Sequence, residues 1–138
     1  MRLLLLNGPN LAALGRRQPG LYGTMTLAEI VEAARAHAEK RGSTLEHFQS
    51  NHEGALIDRL EVLDYDAVIV NAGALSHTSY ALHDALVACD RPAVEVHISD
   101  VRSREEWRHV SVLEPAVRQQ VIGRGWQGYL EAINLLLG

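Results

Sequence analysis

The chain alternates short apolar runs with longer stretches in which apolar residues recur every three or four positions. The short runs are rich in leucine, valine and isoleucine and predict strands covered on both faces, as in a parallel sheet. They lie at Leu3–Leu6, Thr44–Gln49, Ala67–Val70, Ala93–His97 and Gln120–Ile122. Strands separated by amphipathic stretches predict an α/β protein, a flavodoxin-like three-layer sandwich with a five-stranded parallel sheet.

The longer stretches predict helices after the strands. Thr26 and Glu29 form a capping-box pattern before the first helix, and Gly42 is a suitable stop for it. Further helices are expected from about Glu53, after Thr78 and over the last dozen residues. The spacing places Leu63 on the buried face of the second helix. Together, strands and helices predict five βα units.

The segment between the first strand and the first helix is long for a βα loop. It covers residues 8–23 and is punctuated by Gly15, Pro19, Gly20 and Gly23, whereas two to six residues is typical. Loops of this kind beside a site often act as lids. We expect an active-site lid around residues 8–23, and a mobile surface loop is the alternative.

Composition narrows the class of protein. A chain of 138 residues suits one domain, here residues 1–138 as a single catalytic domain. A net charge of −4 argues against nucleic acid as a partner, and the Leu3–Leu6 run is too short for a membrane span. Cys89 is the only cysteine, so no internal disulfide forms and a cytoplasmic location is expected.

The segment Val94–Ser99 reads as a buried strand that ends in a histidine and leads into an arginine-rich loop. Open α/β sheets bind their ligands at the carboxyl ends of the strands. Glu95 and His97 are two residues apart, so on a strand they share a face, where the carboxylate can fix the tautomer of the imidazole. The alternative is a core histidine bonded to a backbone carbonyl.

Other polar residues follow the strands and can converge at the same edge. The candidate set is Asn10, Arg17, Tyr22, Asn71, His77, Asp84, His97, Ser99, Arg104 and Arg108. The chain has no nucleotide-binding fingerprint and no ligand spacing typical of a metal site, so neither cofactor nor metal is assigned. Proton chemistry on an anionic, hydroxyl-rich small molecule remains.

Tyr22 and Arg17 lie in the same loop. Free tyrosine has a pKa of about 10, so a tyrosine that acts as a base near neutrality needs about 4 kcal/mol of phenolate stabilisation. One guanidinium at about 4 Å supplies up to about 4 kcal/mol at an effective dielectric constant near 20. One arginine is therefore marginal and two would suffice. Arg17 is the first candidate and Arg108 the second, whereas Tyr22 as a packed loop anchor is the alternative.

At these residues the chain resembles the type II 3-dehydroquinate dehydratases along nearly its whole length. The matching segments are Asn7–Leu11, Leu14–Gly23, Gln49–Gly54, Asn71–Ser79, Glu95–Ser99, Arg104–Arg108 and Ile122–Tyr129. The resemblance implies an anti elimination of water from 3-dehydroquinate, giving 3-dehydroshikimate through an enolate without a cofactor. Such a lyase serves the shikimate pathway of aromatic amino acid biosynthesis or quinate catabolism.

The resemblance also implies residue roles. Tyr22 would be the base that removes the C2 proton, with Arg17 favouring its ionised form. Asn10 would hold the water that stabilises the enolate oxygen. His97 would be the general acid for the departing C1 hydroxyl, oriented by Glu95. The residues expected to bind substrate are Asn71, His77, Asp84, Ile98, Ser99 and Arg108. Asp84 would reach a neighbouring subunit's site in a homododecamer built from trimers.

Two departures from the family pattern stand out. Asp100 occupies a position where the family usually has asparagine, which adds a negative charge near the expected carboxylate site. His83 replaces a common arginine. Three alternatives remain. The first is the type I enzyme with a Schiff-base lysine, which is disfavoured because the only lysine is Lys40 on a predicted surface helix. The others are a flavodoxin-like binding or receiver module and a relative that retains the assembly without the chemistry.

Overall fold

Five parallel strands form one sheet in the computed structural model, which describes residues 1–138. The strands are β1 (Arg2–Asn7), β2 (Thr44–Gln49), β3 (Ala67–Asn71), β4 (Ala93–His97) and β5 (Gln119–Ile122). Their order across the sheet is β2-β1-β3-β4-β5, which is the flavodoxin-like order. The predicted fold class is confirmed, and the predicted strand bounds differ from the observed ones by at most one residue.

Helices cover both faces of the sheet. They are α1 (Pro19–Tyr22), α2 (Leu27–Lys40), α3 (Glu53–Glu61), α4 (Tyr80–Cys89) and α5 (Gln127–Leu137). Helices α2 and α5 share one hydrophobic cluster with the sheet, and α3 and α4 share the other, which gives three layers. None of these helices has the length and apolar character needed to cross a bilayer.

The prediction of five βα units is wrong at the fourth unit. No α-helix follows β4; three 3₁₀ turns at Val101–Ser103, Glu106–Arg108 and Glu114–Ala116 make the connection to β5. The arginine-rich sequence after His97 lacks the apolar stripe that would hold a helix against the sheet. The first part of the connection, through Arg108, therefore lies at the carboxyl edge of the sheet, where its arginines can reach a ligand. The last part returns to the amino edge, where the Arg118 amide donates to the Ala93 carbonyl at 2.7 Å.

The leucine run forms β1, an interior strand of the sheet. Leu3 and Leu5 belong to the cluster beneath α2 and α5, whereas Leu4 and Leu6 belong to the cluster beneath α3 and α4. Successive strand side chains point to opposite faces, so a strand covered on both sides has no polar alternation. All four leucines are buried, and the unbroken apolar run is thereby explained.

Local signals explain where α2 begins and ends, whereas the end of α3 differs from the prediction. The Thr26 hydroxyl accepts the Glu29 amide at 3.2 Å, and the Glu29 carboxylate accepts the Thr26 amide at 3.0 Å, which confirms the capping box. Gly42 follows the helix with a φ of 76°, as a helix stop requires. The prediction for Leu63 is wrong: α3 has ended, and Leu63 has a φ of 57° and is 45 % exposed.

The loops that leave β1 and β3 touch at the carboxyl edge. The Gly8 amide donates to the Asn71 carbonyl at 2.8 Å. A Cβ on Gly8 would lie 2.5 Å from the Ala72 carbonyl oxygen, and one on Gly73 would lie 2.9 Å from that of Pro9. Glycine is required at both positions because any side chain would force the two loops apart. Their close approach fixes one wall of the cleft described next.

Candidate active site

A cleft opens at the carboxyl edge of the sheet and encloses about 480 Å³, including its mouth. Its lining includes most of the predicted site residues: Asn10, Arg17, Tyr22, Asn71, His77, His97, Ile98, Ser99 and Arg108. Arg104 lines it as well, so three guanidinium groups face a cleft whose lining contains no carboxylate. Low-dielectric walls that carry one sign of charge favour a ligand of the opposite charge. The cleft therefore suits a small anion.

Two arginines contact Tyr22, one of them different from the prediction. The Arg17 guanidinium carbon lies 4.8 Å from the centre of the Tyr22 ring. Arg104 donates from Nη1 to the Tyr22 hydroxyl oxygen at 2.7 Å and to Ser99 Oγ at 3.1 Å. The second cation beside the phenol is therefore Arg104. The Arg104 side chain is only 9 % exposed, so solvent screens its charge weakly.

Arg108 is held elsewhere in the cleft, and its predicted place beside Tyr22 is wrong. Its guanidinium carbon lies 4.0 Å from the ring centre of Trp107, and its Nε donates to Glu105 at 3.1 Å. Arg104 precedes the 3₁₀ turn Glu106–Arg108 and Arg108 ends it, so the two side chains contact different partners. No periodicity in the sequence distinguishes Arg104 from Arg108, and both belong to the candidate set of site residues.

Glu95 and His97 form a buried pair at the end of β4. His97 Nε2 lies 2.6 Å from Glu95 Oε2, so Nδ1 is the nitrogen available to a ligand. Burial by itself raises the pKa of the Glu95 carboxyl, but hydrogen bonds from His97, Ser111 and Gln120 outweigh it and hold this pKa below its usual range. The buried carboxylate therefore fixes the orientation of the imidazole and keeps Nδ1 free for a ligand.

His77 lies beside this pair. Its ring stacks on His97 with centres 6.0 Å apart, and Nδ1 donates to the Val110 carbonyl at 2.8 Å. Burial lowers the pKa of His77, and the Arg108 charge lowers it further. The hydrogen bond to Val110 raises this pKa but does not outweigh them. His77 is therefore a neutral imidazole near pH 7, with Nε2 left as a hydrogen-bond acceptor.

Asn10 lies near the start of the lid segment in a left-handed backbone conformation, with a φ of 68°. Its amide donates to Asn51 Oδ1 at 3.1 Å, and Gln49 donates to the same oxygen at 3.2 Å. The loop after β2 thus holds the backbone at Asn10 and leaves the Asn10 side chain without a hydrogen-bond partner in the chain. That amide group is available to a ligand or to a water molecule in the cleft.

A buried hydrogen-bond chain runs behind the cleft. Asn71 donates to the Tyr129 hydroxyl at 2.9 Å, Tyr129 donates to Asn7 at 2.7 Å, and Asn7 contacts His47 Nε2 at 3.0 Å. Burial and the Arg35 charge lower the pKa of His47, so Nε2 accepts. The Asn71 oxygen accepts the Gly73 amide. This chain orients the Asn71 side chain and ties α5 to the ends of β1 and β3.

Replacement of Tyr129 by phenylalanine is expected to lower the free energy of unfolding by about 1–3 kcal/mol, because it leaves Asn71 Nδ2 and Asn7 Oδ1 without their buried partner. The measurement is urea denaturation followed by circular dichroism. Tyr80→Phe is the matched control, since Tyr80 is 71 % exposed, and it should stay within about 0.5 kcal/mol of the wild type. Equal stability of both variants would contradict the role given to the chain.

Three further residues of the sequence analysis lie outside the cleft. Asp84 is exposed on α4 and does not line the cleft of its own chain. Asp100 is also exposed; its carboxylate accepts the Arg102 amide at 3.2 Å and caps the following 3₁₀ turn. Asp100 does not line the cleft itself, whereas its neighbours Ser99 and Val101 do. His83 contacts the Val112 carbonyl at 2.7 Å.

Comparisons with known proteins agree with this geometry. The family model for dehydroquinase class II matches residues 1–137. A 3-dehydroquinate dehydratase of Roseiflexus castenholzii is 50 % identical over all of this chain and 89 % of that protein. A catabolic 3-dehydroquinase of Aspergillus clavatus is 47 % identical over 96 % of this chain and 89 % of that protein.

Solved structures agree as well. The crystal structure of a type II dehydroquinase from Butyrivibrio crossotus superposes with a TM-score of 0.98 at 40 % identity, over all of this chain and 98 % of that one. A type II dehydroquinase from Propionibacterium acnes gives a TM-score of 0.94 at 37 % identity, over 99 % and 95 % of the two chains. Fold, cleft and sequence lead to one conclusion: the chain belongs to the class II dehydroquinase family.

Proposed function

We propose that this chain is a hydro-lyase that removes water from 3-dehydroquinate to give 3-dehydroshikimate, in shikimate biosynthesis or quinate catabolism. One observation carries the proposal: a phenol bonded to a guanidinium and an imidazole backed by a buried carboxylate line the same cationic cleft. The first pair suits a general base and the second a general acid. An elimination that breaks a C–H and a C–O bond needs both.

In the proposed mechanism the Tyr22 phenolate removes the C2 proton and leaves an enolate. The charges of Arg17 and Arg104 favour the phenolate, and their two contacts with Tyr22 support this role. A water molecule held by the unpartnered Asn10 side chain stabilises the enolate oxygen. The enolate electrons then form the C1–C2 double bond, and the C1 hydroxyl leaves on the opposite face.

His97 completes the reaction by protonating the departing hydroxyl, which leaves as water. Glu95 orients the imidazole through the 2.6 Å contact with Nε2 and keeps the reactive Nδ1 toward the cleft. Tyr22 accepts the proton from C2, and His97 gives a proton to the leaving hydroxyl. Because the elimination transfers only protons to and from the protein, it needs no redox partner. The elimination is proposed to proceed without a cofactor or metal ion.

Substrate binding is assigned to the remaining residues of the cleft. The Ile98 and Ser99 amides, at the carboxyl end of β4, are proposed to hold the substrate carboxylate together with Arg108. The neutral imidazole of His77 and the side chain of Asn71 suit the hydroxyl groups. Residues 8–23 are proposed to form a lid over the bound ligand, within a single catalytic domain that covers residues 1–138.

Asp84 is proposed to bind substrate in a neighbouring subunit, in a homododecamer built from trimers. Its helix supports self-association: Tyr80, Asp84 and Val87 lie on one exposed stripe of α4, with Tyr80 71 % and Val87 56 % exposed. A cytoplasmic location is also proposed, because the single cysteine, Cys89, is buried and free. Sedimentation equilibrium of the purified protein should give about twelve times the mass of the chain, which is 15.2 kDa.

Replacement of Arg104 by methionine is expected to lower kcat by about 10–100-fold, since it removes a hydrogen bond to a charged group. Arg102→Met is the matched control: Arg102 is exposed and lies outside the cleft. A kcat of Arg104→Met equal to that of the wild type would contradict this role.

The activity is tested by mixing the purified protein with 3-dehydroquinate and following ultraviolet absorbance of the conjugated enone product. The band should grow in the presence of a chelator. It should also grow with protein that has been treated with borohydride and substrate and then freed of both. Loss of activity in the treated protein would indicate a Schiff base instead. A flat trace from folded protein that still binds the substrate would indicate a relative without the chemistry and would overturn the proposed activity.

A further inference from the structure

The Glu95 carboxylate is fully enclosed, with no exposed surface, and accepts three hydrogen bonds. Oε2 accepts from His97 at 2.6 Å and from the Ser111 hydroxyl at 2.7 Å, and Oε1 accepts from the Gln120 amide at 2.9 Å. Only the first of these partners lines the cleft. Two donors therefore act on the carboxylate from behind the proposed general acid.

These two donors come from separate parts of the fold. Gln120 lies on β5 and pairs with Glu95 across the parallel ladder, so the backbone fixes its position. Ser111 lies in the connection between the 3₁₀ turns, is 9 % exposed, and also accepts the Leu113 amide at 3.2 Å. Neither residue can contact a ligand in the cleft, because neither lines it.

We infer that Gln120 and Ser111 are positioning residues that set the acid strength of His97 by dispersing the charge of Glu95. The inference rests on the proposed role of His97. A donor to Glu95 matters more after His97 has lost its proton, because the carboxylate then has no cation beside it. Both donors therefore favour proton release from the pair. Without one of them, the pair holds its proton more tightly and is a weaker acid.

Other charged groups surround the pair and are unchanged by substitutions at these two positions. On the cleft side they are Arg17, Tyr22, His77, Arg104 and Arg108. The outer side of Gln120 faces a groove that also contains Arg102, Arg124 and Glu131. Leucine at residue 120 removes the donor and alters none of these charges, so a change in the pH profile reports on the donor itself.

The test compares Gln120→Leu with the matched control Gln119→Leu, whose side chain is exposed on the same strand. In Gln120→Leu we expect kcat to fall about tenfold or more and the alkaline limb of its pH profile to rise by about one unit. KM should change little. Exchange of the C2 proton with solvent deuterium, which needs only the base, should continue at the wild-type rate. Gln119→Leu should match the wild type throughout.

Ser111→Ala provides an independent variant should Gln120→Leu fail to fold. It should shift the alkaline limb in the same direction, and Ser111→Thr, which keeps the hydroxyl, should restore it. A merely structural role would instead slow exchange and elimination together. If the wild type is active and the alkaline limb is unmoved in both folded variants, Gln120→Leu and Ser111→Ala, this inference is overturned and the proposed function stands. Inactive wild-type protein would overturn the proposed function instead.

Discussion

Tyr22→Phe is expected to abolish measurable turnover while the protein still binds its substrate. The phenylalanine ring keeps the packing contact with Arg17 at 4.8 Å and loses only the oxygen that Arg104 contacts at 2.7 Å. A positioned general base contributes about 10²–10⁴-fold, so kcat should fall by at least about this factor. Dissociation constants from isothermal titration calorimetry should remain within about tenfold, since binding relies on the other cleft residues.

The matched control is Tyr80→Phe, which removes a phenol from the exposed stripe of α4. Its kcat should equal that of the wild type if the assembly is retained. Substantial turnover in Tyr22→Phe would exclude a tyrosinate base and leave Tyr22 as an anchor of the lid. Loss of binding in this variant would indicate instead that the hydroxyl holds the substrate.

His97→Ala is expected to separate the two halves of the reaction. Without the imidazole, elimination should slow by about 10²–10⁴-fold, because the C1 hydroxyl has no acid to protonate it. Removal of the C2 proton by Tyr22 does not require His97, so the C2 position should still exchange with solvent deuterium. Mass spectrometry of substrate recovered from deuterium oxide measures this exchange directly.

Glu95→Gln provides a companion variant, because it removes the carboxylate and keeps the shape of the side chain. It should slow elimination less than His97→Ala and also spare exchange. If exchange disappears in His97→Ala, the imidazole binds or positions the substrate rather than acting only as the acid. Both variants therefore test whether proton removal and hydroxyl departure are assigned to different side chains.

Much of the fold could be predicted because its determinants are local. The leucine run makes both faces of β1 apolar, which is typical of an interior strand in a sheet covered on both sides. The capping box at Thr26 and the stop at Gly42 are encoded within a few residues. The carboxyl-edge rule then brings His97 and the lid residues together without any knowledge of the loops.

The arrangement of the arginines could not be predicted, because it depends on loop geometry. Arg104 follows one 3₁₀ turn and Arg108 ends the next, and only their contacts show that Arg104 bonds to Tyr22 whereas Arg108 covers Trp107. The prediction for Leu63 is wrong for a related reason, because the helical spacing of apolar residues continues in the sequence beyond the residue where α3 ends. The donors behind Glu95 come from distant segments that no sequence spacing relates.

The most direct test of the proposed mechanism uses 3-dehydroquinate that carries deuterium at C2 on the face opposite the C1 hydroxyl. If Tyr22 and His97 act on opposite faces of the substrate, the 3-dehydroshikimate product should contain no deuterium at C2, as read by mass spectrometry. Substrate labelled on the other face should keep its deuterium. Retention of the label from the first substrate would demonstrate a syn elimination and contradict the roles proposed for both residues.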